Sequence, residues 1–161
     1  MRAILLGVMM VVGSATASAQ EDFSYARRLY LDKAQCSFCH GWSGDGAGEG
    51  QSNGGAANLR GTRLNKAQLV MTIMCGLPGT AMPHFDESAY SDKRCYGATA
   101  AELGKNKPAL PPGSTLQTRE AEAIADYLLA KIAGRGAATR AECEETFGKD
   151  ARACGEYAVK P

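Results

Sequence analysis

Cys36-Ser37-Phe38-Cys39-His40 is the stretch on which the reading of the chain turns. The spacing C-x-x-C-H is the attachment signature of a c-type haem. Two thiols three residues apart on one short turn can each add to a vinyl group of the same porphyrin. The next residue, His40, then lies under the iron and offers an imidazole nitrogen as the proximal ligand. The motif occurs once, so one covalent haem c is expected, tethered through Cys36 and Cys39.

Three plainer readings compete. A thioredoxin-like redox pair sits next to a β-α-β pattern, and no strand-rich stretch is found here. A zinc site needs a second close Cys/His pair, but His40 and His84 are the only histidines. An ordinary disulfide across two residues makes a tight ring, usually catalytic rather than structural.

The start of the chain carries a second, independent signal. Arg2 is positive, Ala3 to Val12 is apolar, and Ser14 to Ala19 is small and polar, ending Ala17-Ser18-Ala19. This reads as a secretory signal over residues 1–19, cut after Ala19. A membrane anchor is the alternative, but the apolar run falls short of the roughly 20 residues a bilayer needs. No later segment is apolar enough, so the mature protein is expected to have no membrane span and to be periplasmic. The cysteines agree with an oxidising compartment: of six, two go to haem, leaving Cys75, Cys95, Cys143 and Cys154.

Charge excludes some partners. Once Arg2 is removed, lysine and arginine balance the 17 aspartates and glutamates. Nothing suggests nucleic acid or a general membrane-surface patch.

Along the chain, Glu21 to Cys36 reads as a helix delivering the haem motif, with Phe23, Ala26, Tyr30 and Ala34 at helical spacing. Residues 41–61 hold 8 glycines in 21 positions, which predicts a flexible segment wrapping one haem edge. The G-K-[ST] ending of a phosphate loop is missing, and Asp45 and Glu49 miss the calcium-loop spacing. Trp42 is expected against the porphyrin or its neighbours. Arg60 and Arg63 could reach a propionate, but solvated side chains are the default expectation. Asn65 caps a helix over 66–75 with Leu69, Val70 and Ile73 as its apolar stripe and Gly76 as its stop.

Next comes Gly76-Leu77-Pro78-Gly79-Thr80-Ala81-Met82-Pro83-His84-Phe85, a turn-rich loop. A thioether on this loop can reach the iron from the face opposite His40, so Met82 is the expected second axial ligand. Met82 could instead be core filling, and Met71 and Met74 fit helix core better than iron. His84 is the rival: bis-histidine ligation would lower the potential, yet one loop cannot easily place both residues on the iron. His84 is expected near the exposed haem edge or in solvent.

Residues 86–117 form a long insertion with one short capped helix at Thr99-Ala100-Ala101-Glu102. Thr118 is expected to cap the clearest helix, 119–133, whose stripe is Ala121, Ile124, Ala125, Leu128 and Ile132; the Phe23/Tyr30 helix is its natural partner. A tail over 135–161 resets with the capping box Thr139-Arg140-Ala141-Glu142 and a helix to Phe147. The four spare cysteines allow three pairings. Cys75 with Cys95 would staple both ends of the methionine loop, and Cys143 with Cys154 would bracket the tail turn. That pairing is favoured over the other two.

Haem helix, glycine loop, short helix, methionine loop and closing helix together resemble the class I c-type cytochromes. The resemblance covers about residues 23–133 and rests on Cys36-x-x-Cys39-His40, Pro78-Gly79-Thr80-Ala81-Met82-Pro83 and Ala125-Asp126-Tyr127-Leu128. It implies an all-α fold with three to five short helices around one haem, His40 and Met82 as axial ligands, and electron transfer rather than bond-making catalysis. The family's Gly-Pro-x-Leu, whose proline carbonyl accepts a hydrogen bond from the proximal histidine, is replaced here by Ala56-Ala57-Asn58-Leu59. The Met82-Pro83-His84 loop, the insertion after it and the cysteine-bearing tail resemble cytochrome c-L, the electron acceptor of quinoprotein methanol dehydrogenases.

The expected organisation is thus a signal peptide at 1–19, a cytochrome domain at 20–134 and a disulfide-bearing helical extension at 135–161. The expected role is a periplasmic carrier taking single electrons from a periplasmic dehydrogenase, a quinoprotein alcohol dehydrogenase being one candidate. It would pass them to a terminal oxidase or another cytochrome. A haem enzyme or ligand-binding protein with an open iron position is the alternative, as is a fixed subunit of a dehydrogenase complex.

Overall fold

The computed structural model describes residues 22–52 and 55–157. The expected export signal at 1–19 lies outside the described residues. Those residues are helical, with no strand among them, and carry six α-helical segments. Helix α1 spans Ser24–Arg28 and continues as a π-helical turn over Leu29–Lys33. The short α2 is Cys36–His40, α3 is Lys66–Cys75 and α4 is Ala100–Leu103. Helix α5, Thr118–Tyr127, also runs on as a π turn, Leu128–Ile132, and α6 is Arg140–Phe147.

The sequence predicts one helix from 21 to 36, but the haem motif forms its own element. Gln35 adopts a left-handed conformation, φ 49°, which ends the first helix and starts the Cys36–His40 segment as a separate one. With that break there are, among the described residues, five α-helices, α1–α5, before the tail helix α6, in keeping with the three to five expected for the cytochrome domain.

Helix starts follow capping chemistry. Asn65 and Gln68 form a capping box on α3, as do Thr99 and Glu102 on α4 and Thr139 and Glu142 on α6. On α5 the cap sits one residue earlier than expected. Gln117 and Glu120 make the box, and Thr118 is the first helical residue. Glu120 suits this place because its carboxylate is also held by Lys33 Nζ at 2.7 and 2.8 Å.

The main core forms where α1, α3 and α5 converge. Tyr30, Leu69, Ile73, Ile124, Leu128 and Ile132 are buried there, as the helical stripes predict. Tyr127 meets Phe23 and Tyr30 at centroid distances of 6.4 and 5.9 Å, so the first and closing helices do pack together. Met71 departs from expectation: it is 40% exposed, whereas Met74 packs against the core.

The two disulfides are Cys75–Cys95 and Cys143–Cys154, with Cα separations of 5.5 and 5.6 Å. The first joins the end of α3 to the insertion and nucleates a small second core with Ala89 and Tyr90. The second closes the tail behind α6. No helix among the described residues is long and apolar enough to cross a membrane.

Candidate haem site

The site begins with how the Cys36–His40 turn is held. Tyr30, fully buried on the π turn after α1, donates its hydroxyl to the Gly41 carbonyl at 2.7 Å. Burial pushes that phenol far above its ordinary value, so it stays a donor. Ser37 donates to Glu49 Oε1 at 2.8 Å, and the Glu49 N–H returns to the Phe38 carbonyl at 2.9 Å. Gly46 N–H reaches the His40 carbonyl at 2.9 Å. The glycine-rich segment expected to be a loose wrap is therefore hydrogen-bonded back onto the motif. Gly48 shows why glycine is needed: a Cβ there would lie 3.1 Å from the Phe38 carbonyl oxygen and 3.2 Å from that of Cys39.

Cys36 and Cys39 are free thiols on the same helical turn, both half-buried. Burial pushes the Cys36 thiol up to about 12. His40 is buried, and its Nδ1 lies 2.9 Å from the Ala57 carbonyl. A carbonyl only accepts, so Nδ1 carries the proton and Nε2 is the nitrogen left to bind a metal. Burial also lowers the pKa of His40, only partly offset by the Ala57 bond. The ring thus stays in the neutral, ligating form.

Ala57 is the residue that sequence reasoning could not choose. It occupies the proline position of the family's Gly-Pro-x-Leu, and the alignment with Ala56-Ala57-Asn58-Leu59 was the signal available. Its carbonyl is positioned by the flanking backbone: Ala56 N–H bonds Gly46 O at 3.1 Å and Leu59 N–H bonds Gly44 O at 2.7 Å. The Asn58 side chain accepts from Arg60 N–H at 2.9 Å. Proline's rigidity is replaced by a ladder onto the glycine segment.

Arg60 corrects the expectation of a solvated or propionate-bound side chain. It is 5% exposed and reaches the tail. Its guanidinium donates to the carbonyls of Gly136, Ser43, Arg135 and Ala137, and to both carboxylate oxygens of Glu142 at 3.0 and 3.1 Å. Arg63 is exposed as expected. Trp42 also turns to the tail, packing edge-on against Phe147 and Tyr157 at 5.7 and 5.4 Å and donating to the Tyr157 hydroxyl at 3.2 Å.

Met82 is half-buried on a loop of its own. Thr80 organises the turn, its hydroxyl donating to Leu77 O at 2.8 Å and accepting from Met82 N–H at 3.1 Å. Gly76, at φ +64°, crosses directly over the loop: a Cβ there would lie 2.7 Å from the carbonyl oxygens of Met82 and Pro83. The insertion fences this loop from outside. Gly79 N–H bonds Asn106 O at 2.8 Å and His84 N–H bonds Ala109 O at 3.0 Å. Tyr90 and Tyr96 donate their hydroxyls to Cys75 O and Gly76 O at 2.6 and 2.9 Å. No sequence periodicity announced these tyrosines. His84 corrects a second expectation: it is buried, 2% exposed, and packs edge-on against Tyr90.

Two free thiols flank a turn that ends in an anchored, neutral imidazole, and a thioether is presented by a separate stapled loop. This donor set fits a covalently attached haem c. Residues 25–101, just under half of the chain, match the family described as cytochrome C oxidase, cbb3-type, subunit III. The match supports a c-type cytochrome. Such a domain carries covalently bound haem c and suits electron transfer, and the helical architecture is that of an all-α cytochrome c fold. The matched stretch runs from α1 into α4, so it takes in the haem motif, the Ala57 carbonyl and the Met82 loop, and stops before α5 and the tail. No curated protein and no solved structure matches the chain significantly.

Proposed function

We propose that the protein is an exported, periplasmic monohaem cytochrome c that shuttles single electrons. Cys36 and Cys39 would form the thioethers that hold the haem, and His40 and Met82 would ligate its iron. The observation that carries the reading is the Nδ1 bond of His40 to Ala57, which fixes the tautomer and aims Nε2 as a ligand. When bound, the haem supplies a one-electron Fe(III)/Fe(II) couple. The chain does the rest: it anchors the porphyrin, keeps the His40 ring neutral and oriented, and holds Met82 on a loop stapled at Cys75–Cys95. A thioether ligand raises the potential, which suits a carrier placed between a periplasmic dehydrogenase and a terminal oxidase or another cytochrome. The likeness of its methionine loop, insertion and tail to cytochrome c-L makes a quinoprotein alcohol dehydrogenase the proposed donor.

The test is a visible spectrum of the mature holoprotein. The oxidised form should show the weak far-red band of methionine–iron ligation, and Met82→Ala should abolish it and lower the potential. A wild-type protein without that band, binding carbon monoxide readily when reduced, would be an open-site haem protein and not this carrier. Stoichiometric reduction by a purified quinoprotein alcohol dehydrogenase would establish the donor; failure to be reduced would remove it.

A further inference from the structure

A cavity of about 320 Å³ lies apart from the donor set of the haem site: neither thiol, nor His40, nor Met82 lines it. Small-molecule pockets span roughly 300–1,000 Å³, so the space suits a small guest. Its lining comes from three parts of the chain: Phe23 and Tyr127 at the contact of the first and closing helices, Trp42 and Ser43 just after the haem motif, and helix α6. Ser43 is 2% exposed. Its carbonyl accepts from Arg60 Nη1 at 3.1 Å, but its hydroxyl is buried and has no hydrogen-bond partner. A buried hydroxyl left unmet is costly, and in native proteins such an atom calls for an explanation.

The charges around the cavity do not cancel. Arg27, Arg60, Lys131 and Arg135 line it against three carboxylates, an excess of one positive charge. Glu142 is bound by Arg60 and Glu145 by Lys131. Asp22, the third carboxylate, accepts the Ser24 N–H at 2.8 Å. Arg27 and Arg135 are in no ion pair among the described residues. The guanidinium of Arg27 donates to Glu145 O at 2.8 Å and that of Arg135 to Ala130 O at 2.7 Å, both backbone carbonyls. A guanidinium carries five N–H donors in a planar fork that matches a carboxylate, so most of this donor capacity is unspent.

We propose that this cavity is a binding site for a small aromatic carboxylate. Its ring would lie against Phe23, Trp42 and Tyr127, its carboxylate on Arg27 and Arg135, and the Ser43 hydroxyl would be its buried hydrogen-bond partner. Aromatic walls supply apolar area for a planar ring, and the two arginines select an anion over a neutral ring of the same shape. The site does not depend on the electron-carrier reading, since no haem donor lines it. A ligand there touches the first-to-closing helix contact and the tail at once, so it would clamp them together and stabilise the fold by mass action.

The test titrates the mature holoprotein with benzoate at low ionic strength, followed by calorimetry and by thermal unfolding. Saturable one-to-one binding is expected, with a thermal midpoint that rises with benzoate concentration. Acetate, which lacks the ring, and benzamide, which lacks the charge, should each bind at least about tenfold more weakly. Arg27→Gln/Arg135→Gln should lose at least about tenfold in benzoate affinity and Ser43→Ala about threefold. Lys66→Gln, a charge change on α3 outside the lining, should lose none. An unchanged visible spectrum shows that each variant keeps its haem environment. No saturable benzoate binding, or an affinity unchanged in the double arginine variant, would overturn the proposal. Acetate binding as tightly as benzoate would mark a bare anion site, and benzamide binding as tightly would remove the arginines from recognition; either also overturns it. Should the variants not accumulate, the three probes compared on the wild type decide the matter alone.

Discussion

Gly76 shows how much of the site rests on single atoms. It sits at φ +64°, and a Cβ would meet the Met82 and Pro83 carbonyls at 2.7 Å. Its ψ of −164° puts it in a region essentially open only to glycine, so an alanine there meets both strain of roughly 1–3 kcal/mol and a backbone clash. Gly76→Ala should therefore lower unfolding free energy by at least about 2 kcal/mol and weaken the far-red band, read by thermal unfolding and by the spectrum of the same sample. The orientation of His40 depends on a main-chain atom instead. Because His40 is held by the Ala57 carbonyl, side-chain changes at Ala57 leave the acceptor in place. The residues that shape the backbone there are Gly44, Gly46 and Asn58.

At the scale of elements, two segments outside the helical core brace the methionine loop and the segment beside the Cys36–His40 motif. The insertion braces the methionine loop, through the Cys75–Cys95 disulfide and the hydroxyls of Tyr90 and Tyr96. Closing a loop with a sequence separation of 20 residues is worth about 3 kcal/mol in the chain-entropy model. Cys75→Ser/Cys95→Ser should lose stability of that order, with the far-red band disappearing at lower denaturant than the unfolding of the helices measured by circular dichroism. The tail braces the segment beside His40, through Arg60 and Glu142. The Arg60 side chain is 4% exposed and that of Glu142 23%, so removing one partner is not a surface event. Glu142→Gln leaves the guanidinium its four carbonyl acceptors and should cost about 1–2 kcal/mol in chemical denaturation, below the 3–5 kcal/mol typical of a fully buried pair.

For the whole molecule, the charged joints make stability depend on acid. Burial opposes ionisation of Glu120, but Lys33, the Gln117 N–H and Tyr25 together hold its carboxyl below the usual value of 4.5. Burial likewise opposes Glu142, and the Thr139 N–H and Arg60 outweigh it. Both groups have folded pKa values below their unfolded ones. Their stabilisation is complete above about 4.5 and is lost as pH falls through the lowered folded values. Thermal midpoints should be level in the neutral range and fall below about pH 4.5, with Glu142→Gln flattening part of the fall. Glu120 ties α5 to the π turn after α1, and Glu142 ties α6 to the segment beside His40. Acid is thus expected to loosen the first-to-closing helix contact and the tail together.

Local chemistry decided much of this protein. The Cys36–His40 motif, the cap at Asn65, the capping boxes at Thr99 and Thr139, the apolar stripes of α3 and α5 and both disulfide pairings were legible, because each depends on residues close in sequence or on a short periodicity. The cap of α5 was misread by one residue because Lys33, distant in sequence, helps hold Glu120 at the capping position. What only the tertiary structure decided were long-range choices between equally plausible partners. Arg60 had a propionate, solvent or another segment open to it, and the carbonyls of Gly136 and Ala137 with Glu142 claimed it. His84 looked like a surface residue until the insertion folded over it and Tyr90 closed its side. A sequence states what a side chain can bond, but which of its possible partners arrives is settled by chain segments tens of residues away, competing for the same buried volume.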